Sequence, residues 1–388
     1  MKKKIVYWSP CLNPVGTLKS TINSAKSLTK HGKKNYYSVF LINVCGEWDK
    51  YKNELEDAKI NIVNLSFSYY NLLPKEGFFK SRFSYIVIIL ISFFPLIRFL
   101  FKEKPDFLIA HLITSLPILI FNFFNFKTKL ILRISGFPKL HFLRKLFWKK
   151  SSINIFHTTC PSIELMDKLK DKRIFNNLKI SFLPDAIIDY TDFKNDLKKN
   201  IEFEIFNKDK KIILAGGRLT KQKNFSYLIN EFSQFSKINN DYILVVLGEG
   251  EEKMKLDKMV IKNKMEDKIF LPGRTEGIYR YMKKSDIFVL SSLWEEVGFV
   301  IVEAALSNLF IVSSNCPNGP SEFLNHGTGG ILFDNNKDGA LAEALVKYCE
   351  LKHKKNYRYE SKKSTLKYTK YRHFLKLKNI LENKTYIY

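Results

Sequence analysis

Cysteine is scarce in this sequence, and no two cysteines have a metal-binding spacing. The five cysteines are scattered over 388 residues without a Cys-x-x-Cys pair. Such a distribution argues against a structural zinc site and a disulfide framework, and it is typical of proteins of the reducing cytoplasm. The loops also lack an Asp-x-Asp pair and the Gly-x-x-x-x-Gly-Lys-Ser/Thr spacing of a P-loop. The sequence therefore predicts neither a metal site nor a P-loop.

Acidic residues are also few relative to basic ones. Lys and Arg number 64 against 38 Asp and Glu, which gives a formal net charge of +26. A positive field of this size favours anionic partners, namely nucleic acid, anionic lipid or phosphorylated small molecules. A basic nucleic-acid-binding protein is thus one hypothesis, but no RNP, C₂H₂ or helix-turn-helix signature supports it.

Long apolar runs are rare, and two stretches stand out. The run 85–97 carries no charge and has basic residues on both sides, Lys75, Lys80 and Arg82 before it and Arg98, Lys102 and Lys104 after it. It is shorter than a membrane-spanning helix requires, and Pro95 is expected to kink it. The stretch 140–150 mixes aromatic and basic residues. Both segments fit either ordinary packed helices or contacts with an anionic membrane surface. The apolar run at the N-terminus is cut short by Pro10 and Pro14, which predicts a first strand rather than a signal peptide.

Short apolar runs alternate with helical patterns along the whole chain, which predicts two parallel-sheet α/β domains. The length also suits two domains. We expect an N-terminal domain over 1–190, a C-terminal domain over 191–365, and a final helix in 366–388 that packs back on the first domain. The segment 184–209 has weak apolar periodicity and is interpreted as the linker region.

Residues 291–305 form the most informative stretch. They follow the apolar run 286–290, and a buried helix is predicted after Gly298. The start of a helix presents unpaired backbone N–H groups, which favour phosphate or sugar oxygens. Glu295 lies in the loop, and Glu303 interrupts the apolar pattern of the helix. Because a buried carboxylate needs a partner, both are candidates to accept hydrogen bonds from vicinal hydroxyls.

A second candidate loop begins at Gly216 and Gly217, directly after the apolar run 211–215. Its glycines allow the backbone to approach a ligand, and Arg218 and Lys223 can each bind phosphate oxygens. Gly16 lies in an earlier loop of the same strand–loop–helix kind, where a single glycine is a weaker signal.

These motifs together resemble the retaining glycosyltransferases of family 4, which have the GT-B fold. The resemblance rests on Gly217-Arg218-Leu219 with Lys223-Asn224, on the stretch from Glu295 to Glu303, and on the loop 315–322, which resembles that of bacterial polysaccharide-assembly members. It implies an α/β GT-B fold with two Rossmann-like domains facing a central cleft. The sequence departs from many members at Glu296 and Val297, where Gly-Phe is common.

The resemblance assigns a role to each candidate residue. Arg218 and Lys223 match the pair that neutralises the donor diphosphate, and Glu303 matches the acid that holds the ribose hydroxyls. Glu295 matches the acid beside the transferred sugar, where Gly298 and Phe299 offer backbone N–H groups. His111, at the end of an N-domain strand, matches a histidine that faces the sugar. Gly217 is expected to contact the donor, and Gly16 matches the N-terminal glycine loop in part.

The resemblance implies that the protein transfers a sugar from a nucleotide-sugar with retention of configuration, without a metal ion and without a further cofactor. The donor is expected to be a UDP-sugar. The acceptor is expected to be a lipid-linked or polysaccharide glycan of bacterial O-antigen, capsule or lipopolysaccharide synthesis. The protein is expected to lie in the cytoplasm as a peripheral protein on the inner face of the cytoplasmic membrane, bound to its anionic surface and not to nucleic acid. Two alternatives stay open at this point, a GT-B nucleotide-sugar epimerase and, from a different class, a basic nucleic-acid-binding protein. A catalytically inactive scaffold is a third interpretation, and the intact candidate residues argue against it: Arg218, Lys223, Glu295 and Glu303.

Overall fold

The structure is a computed structural model that describes residues 2–12, 16–34, 36–65, 73, 78–138, 140–207 and 209–384. Contacts within the chain define two units. The first comprises Met1–Ala186 together with Lys370–Tyr388, and the second comprises Ile187–Thr369. Each unit is built around its own parallel sheet, as the alternation of apolar runs and helical patterns predicts.

The first unit has seven described strands, all parallel, in the order β3-β2-β1-β4-β5-β6-β7. Helices cover both faces of the sheet, so its central strands are continuous apolar runs rather than alternating ones. The strands are β1 (Lys3–Trp8), β2 (Tyr37–Asn43), β3 (Asn61–Asn64), β4 (Phe107–Ala110), β5 (Lys129–Arg133), β6 (Ile155–Cys160) and β7 (Ile180–Phe182). The helices are α1 (Gly16–His31), α2 (Lys52–Asp57), α3 (Phe78–Glu103), α4 (Ser115–Phe123), α5 (Phe142–Ser151) and α6 (Ile163–Asp171).

The second unit has six described strands, all parallel, in the order β10-β9-β8-β11-β12-β13. The strands are β8 (Lys211–Gly216), β9 (Tyr242–Leu247), β10 (Ile269–Gly273), β11 (Ile287–Leu290), β12 (Phe310–Ser314) and β13 (Ile331–Phe333). The helices are α7 (Tyr190–Asp196), α8 (Phe225–Ile238), α9 (Lys253–Lys262), α10 (Tyr279–Lys283), α11 (Phe299–Leu306), α12 (Pro320–Phe323), α13 (Ala340–Glu350) and α14 (Lys354–Ser364).

The last helix, α15 (Lys370–Leu381), belongs to the first unit. It packs on α1 and buries Phe374, Leu377 and Ile380 in the apolar cluster around that helix. His373, on the same helix, is buried as well. The chain therefore returns to the first unit after it has completed the second.

The segment 184–209, interpreted as the linker region, contains the boundary between the two units at Ala186 and Ile187, and the part after that boundary is folded into the second unit. It contains α7, and Ile187, Ile188 and Phe206 lie in the core of the second unit. Asp196 forms a buried ion pair with Arg280 of α10. The apolar residues of this segment are spaced irregularly along a short helix and turns, so they give no helical or strand period even though they are buried.

The uncharged run 85–97 is part of a longer helix than expected. α3 has 26 residues, and Pro95 lies inside it rather than ending it. Among the described residues, Phe83–Glu103 is long and apolar enough to cross a membrane by length and composition, and a third of its most apolar window is buried. Of the basic flanking residues, Lys75 lies outside the described residues.

In each sheet the strand order reverses at one place, between β1 and β4 in the first unit and between β8 and β11 in the second. Loops that leave neighbouring strands in opposite directions open a crevice there, where α/β proteins bind ligands. The loop after β8 carries Arg218 and Lys223, and the loop after β11 carries Glu295. The fold thus places the two candidate loops of the sequence at the switch point of the second sheet.

Candidate functional site

The loop after β8 is held by a neighbouring glycine loop. The amide of Gly217 donates to Leu247 O over 3.0 Å, and that of Leu219 donates to Glu249 O over 2.8 Å. A Cβ atom on Gly248 would lie 1.8 Å from Gly217 O, and its φ of 156° also favours glycine. Gly248 therefore allows the backbones of the two loops to come into contact. The closely spaced glycines Gly248 and Gly250 are the signal for this role in the sequence, and the prediction missed it.

Lys223 turns back across the start of the same loop. A Cβ atom on Gly217 would lie 3.1 Å from Cε of Lys223, so the lysine stem runs over this glycine. Lys223 is only 16% exposed, whereas Arg218 is exposed and forms no ion pair with a described residue. Gly217 thus contacts the side chain of Lys223. Its expected contact with the donor stays a prediction.

The loop after β11 is joined to the loop after β8 by three hydrogen bonds in addition to the ion pair of Lys223 described below. The hydroxyl of Ser291 donates to Lys223 O over 2.8 Å, and the amide of Leu293 donates to Gln222 O over 2.8 Å. The side-chain amide of Gln222 donates to Trp294 O, also over 2.8 Å. These bonds fix the two loops to each other although they are about seventy residues apart in sequence.

The central contact of this site is an ion pair between Lys223 and Glu295. Nζ of Lys223 bonds to Oε1 of Glu295, and the hydroxyl of Ser292 donates to the same oxygen over 2.7 Å. Glu295 is 7% exposed, so its charge requires such partners. The prediction assigned Lys223 to the diphosphate and Glu295 to the sugar, and the structure brings the two side chains into direct contact.

The backbone on either side of Glu295 is fixed by the loop 315–322. The amide of Glu295 faces Pro317 O at 3.4 Å, and a Cβ atom on Gly319 would lie 1.9 Å from Glu296 O. The carbonyl of Ser292 accepts from the Ser314 hydroxyl over 2.7 Å and from the Asn335 side chain over 2.9 Å. Sequence analysis missed Ser314 and Asn335, because single polar residues at strand ends carry no motif.

Gly298 caps the helix that carries Glu303. It has φ 81° and ψ 102°, and the next residue, Phe299, begins α11. Glu303 is buried on that helix, as its position within an apolar pattern predicted. Burial, and then the charge of Glu303, raise the pKa of Tyr279 above its ordinary value. The site of the second unit thus combines a helix start with two buried carboxylates, Glu295 before it and Glu303 within it.

Another buried carboxylate of the second unit binds the free backbone amides at the start of α13. Glu231 of α8 accepts from the amides of Gly339, Leu341 and Ala342 over 2.8, 3.1 and 3.1 Å, at the first turn of α13. A carboxylate at this end of a helix satisfies unpaired amides and favours the helix dipole. The signal in the sequence is an acidic residue among the apolar positions of α8.

His111 and Gly16 lie in the first unit. His111 follows β4, is 5% exposed, and has its Nδ1 atom 3.0 Å from Oγ1 of Thr21 on α1. Burial, and then the charge of Arg133, hold its pKa well below the ordinary value, so the ring is neutral at physiological pH. Gly16 begins α1, and no atom lies within 4 Å of a Cβ built on it. Residues 13–15 of its loop lie outside the described residues.

A buried polar network surrounds His111. Arg133 donates to Asp185 Oδ1 and to Leu183 O, each over 2.6 Å, and Ser20 also bonds to Asp185. Ser24 lies between the hydroxyl of Tyr7 at 2.9 Å and Nε2 of His373 at 2.8 Å. Burial lowers the pKa of His373 to about 4. Sequence analysis did not find this network, because its members lie on five separate segments of the chain.

No group of three or more His, Cys, Asp or Glu side chains that could hold a metal ion occurs within the part of the chain that the structure describes. The two candidate cations of the loop after β8 differ in their surroundings, since Arg218 is exposed and Lys223 lies beside Glu295.

Comparison with known protein families gives a match for the part of the chain that carries this site. Residues 196–365 match the family model of the group 1 glycosyl transferases, a range that includes both site loops and α11. The match to this family thus falls within the second unit and spans most of it. The resemblance deduced from Arg218, Lys223, Glu295 and Glu303 is thereby confirmed at the level of the family.

Two relatives with similar sequences are named as glycosyltransferases. The chain is 28% identical over 249 residues to an uncharacterized glycosyltransferase of Methanocaldococcus jannaschii, over 60% of this chain and 61% of that protein. It is 25% identical over 252 residues to the N-acetylgalactosamine-N,N'-diacetylbacillosaminyl-diphospho-undecaprenol 4-alpha-N-acetylgalactosaminyltransferase of Campylobacter jejuni, over 64% of this chain and 65% of that enzyme. The alignments thus span less than two thirds of these two relatives.

The chain also resembles solved structures over nearly its whole length. The crystal structure of Anabaena HepE in complex with UDP matches with a TM-score of 0.72 at 14% identity, covering 99% of this chain and all of that one. At such low identity the match concerns the fold. It confirms the expected α/β GT-B fold with two parallel sheets.

Proposed function

We propose that the protein transfers a sugar, with retention of anomeric configuration and without a metal ion, from a UDP-sugar to a lipid-linked or polysaccharide acceptor of a bacterial surface glycan. The observation that carries the proposal is the Lys223–Glu295 pair at the switch point between β8 and β11, with Arg218 exposed on the same loop. The Campylobacter relative, named for a diphospho-undecaprenol acceptor, and the complex of HepE with UDP support the acceptor and the donor.

The chemistry follows from the charges of the site. Rupture of the bond between the anomeric carbon and the diphosphate leaves negative charge on the phosphate oxygens, and Arg218 and Lys223 are the cations placed to stabilise it. Before the donor binds, Glu295 neutralises Lys223. A diphosphate that bonds to Lys223 takes over this role, and Glu295 is then able to accept hydrogen bonds from the sugar hydroxyls.

The proton balance requires an acceptor for the proton of the attacking hydroxyl. In the retaining mechanism that the family resemblance implies, that hydroxyl oxygen bonds to the anomeric carbon on the face from which the diphosphate leaves. Its proton passes to the leaving phosphate oxygen, so the reaction needs no separate protein base. Glu295 and the helix start at Gly298 orient the sugar during this step, while Glu303 holds the ribose.

A screen of nucleotide-sugars tests the proposal. We expect release of UDP from one UDP-sugar in the presence of a membrane extract as acceptor, and a product with the anomeric configuration of the donor. We expect addition of EDTA to leave the rate nearly unchanged, because two protein cations occupy the role that Mg²⁺ has elsewhere. Loss of activity on chelation with recovery on Mn²⁺ or Mg²⁺ would contradict the metal-independent assignment. Epimerised or hydrolysed donor without any transfer would favour the epimerase instead.

The Lys223–Glu295 pair makes a further prediction about Glu295→Gln. The amide keeps the size of the side chain and its bond with Ser292 but removes the charge that neutralises Lys223. We therefore expect UDP to bind more tightly to the variant, by about tenfold for the loss of one charge-assisted bond that competes with it. Turnover should fall at the same time. Calorimetric titration with UDP checks the affinity, and Glu249→Gln, on the loop after β9, is the control. Weaker UDP binding would show that Glu295 does not compete for Lys223.

An exposed apolar surface on the first unit supports membrane association. The outward side of α3 carries Ile86, Leu90 and Phe94, all more than half exposed, with Phe94 at 75%. The opposite side of the helix buries Ile88 and Leu96 in the core but also buries two serines, Ser84 and Ser92. The outer face is thus as apolar as the inner one, whereas a surface helix of a soluble protein has a polar outer face.

α5 adds a second part to this surface, with a different composition. Phe142, Leu143 and Leu146 are exposed, with Phe142 at 78%, and the cations of the same helix are exposed beside them: Arg144, Lys145, Lys149 and Lys150. Apolar side chains among cations suit the boundary between anionic headgroups and acyl chains. We therefore assign the protein to the inner face of the cytoplasmic membrane, with α3 and α5 on the lipid. Because the inner face of α3 is packed in the core of its unit, the helix lies on the membrane in this proposal.

A further inference from the structure

The hydrogen bonds around Thr21 determine where the protons are at His111. Oγ1 of Thr21 lies 2.8 Å from Thr17 O and 3.0 Å from Nδ1 of His111. A carbonyl oxygen only accepts hydrogen bonds, and a threonine hydroxyl has a single proton. The contact of 2.8 Å therefore holds that proton between Thr21 and Thr17. A third oxygen, Oγ of Ser9, is farther away at 3.4 Å.

Because the Thr21 hydroxyl donates its proton in a hydrogen bond to Thr17 O, it presents only lone pairs to His111. A nitrogen 3.0 Å away must then carry the hydrogen, because two facing lone pairs repel each other. Nδ1 of His111 is consequently protonated. Since burial keeps the pKa of the ring well below its ordinary value, the ring holds no second proton and Nε2 is bare. Nε2 has no hydrogen-bond partner among the described residues.

We propose that Thr21 is a positioning residue that fixes His111 as the Nδ1–H tautomer, so that Nε2 of His111 accepts a hydrogen bond from a hydroxyl of the sugar substrate. The inference rests on the proposed function for the presence of a sugar. A bare Nε2 also excludes ligand atoms that carry no proton. An ionised phosphate oxygen has no proton to give, so a bare Nε2 does not bind it, and His111 is not a third cation for the diphosphate.

A second buried histidine of the same unit provides an internal reference. Nδ1 of His373 lies 2.6 Å from Pro184 O, and because a carbonyl only accepts, this nitrogen is also protonated. Its Nε2 lies 2.8 Å from the hydroxyl of Ser24. His373 and His111 thus share one tautomer but differ in the partner of Nε2, which is a protein hydroxyl in the first case and a substrate hydroxyl in the second.

Nuclear magnetic resonance of the full chain labelled with ¹⁵N-histidine reads the tautomer directly. We expect wild-type His111 and His373 both to show a protonated Nδ1 and a bare Nε2 at neutral pH. In Thr21→Val, which keeps the shape but lacks the hydroxyl, His111 should lose the preference for Nδ1–H while His373 retains it. In Thr21→Ser, which restores the hydroxyl, the wild-type pattern should return. A protonated Nε2 of His111 in the wild type, or an unchanged tautomer in Thr21→Val, would overturn the proposal.

Kinetics separate positioning from a merely structural role. We expect Thr21→Val to lower kcat for sugar transfer about tenfold, the value of one lost hydrogen bond, with Thr21→Ser close to wild type and the affinity for UDP unchanged in both. Equal kcat in Thr21→Val and the wild type would contradict the inference. The tautomer is measured without substrate, so that measurement tests this inference independently of the proposed function. Failure of the proposed function would instead appear as an absence of UDP binding by the wild type.

Discussion

Alanine at either Arg218 or Lys223 is expected to lower turnover about a hundredfold, the usual cost of removing one preorganised donor from a developing anion. The reason is that each variant leaves a single cation for the departing diphosphate. Release of UDP from the donor, measured at saturating donor and acceptor, checks the prediction. Lys221→Ala is the matched control, because Lys221 is an exposed cation of the same loop. Near-normal turnover in both variants would refute the diphosphate assignment.

The two variants should differ in stability. The sequence indicates that this loop faces the surface, and this is true of Arg218. Lys223, however, is mostly buried against Glu295, so its removal leaves a buried carboxylate without its cation. We expect Lys223→Ala to lower the free energy of unfolding of the second unit by roughly 1–3 kcal/mol, and Arg218→Ala to leave it unchanged. Thermal unfolding in the presence and absence of UDP checks this difference.

Neutralisation of the cations of α5 is expected to have the largest effect on membrane binding. The variant replaces four exposed residues with glutamine: Arg144, Lys145, Lys149 and Lys150. Because each cation near an anionic leaflet contributes about 1 kcal/mol, affinity for anionic vesicles should fall by about three orders of magnitude. Transfer to a lipid-linked acceptor should slow, while hydrolysis of the donor by water should change little. Sedimentation with vesicles of anionic and of neutral lipid checks the prediction.

A matched control tests whether position or total charge matters. The control replaces four exposed lysines of the second unit with glutamine and so changes the net charge by the same amount: Lys355, Lys362, Lys363 and Lys367. We expect it to retain nearly all vesicle binding, whereas Leu90→Gln combined with Phe94→Gln should weaken binding to neutral vesicles as well. Equal binding of the wild type to neutral and anionic vesicles, unaffected by either set of substitutions, would leave α3 and α5 as ordinary surface helices.

The sequence predicted those features that depend on short-range pattern. Each site loop follows an apolar strand and precedes a helix, so the positions of Gly217 and Gly298 in the fold were accessible from periodicity alone. The family resemblance added roles for Arg218, Lys223 and Glu303. The fold class and the family are confirmed, and the individual roles of these residues stay predictions.

Contacts between distant segments were not predictable in the same way. The pairing of Lys223 with Glu295, 72 residues apart, depends on the adjacency of β8 and β11, which no local pattern encodes. The bond between Thr21 and His111 depends likewise on the adjacency of α1 and the end of β4. β13 and α14 were missed, one because it has three residues and the other because its helix is polar on nearly all sides.

The outward apolar face of α3 also has a consequence for the protein in water. A patch of this kind, uncovered in water, attracts identical patches on other copies and promotes aggregation. The net charge of +26 opposes this, because like-charged molecules repel each other at low ionic strength. High salt screens that repulsion and strengthens apolar contacts. Under the proposed membrane assignment, this repulsion keeps the newly made chain dispersed until an anionic surface, which the same charge attracts, covers the helix.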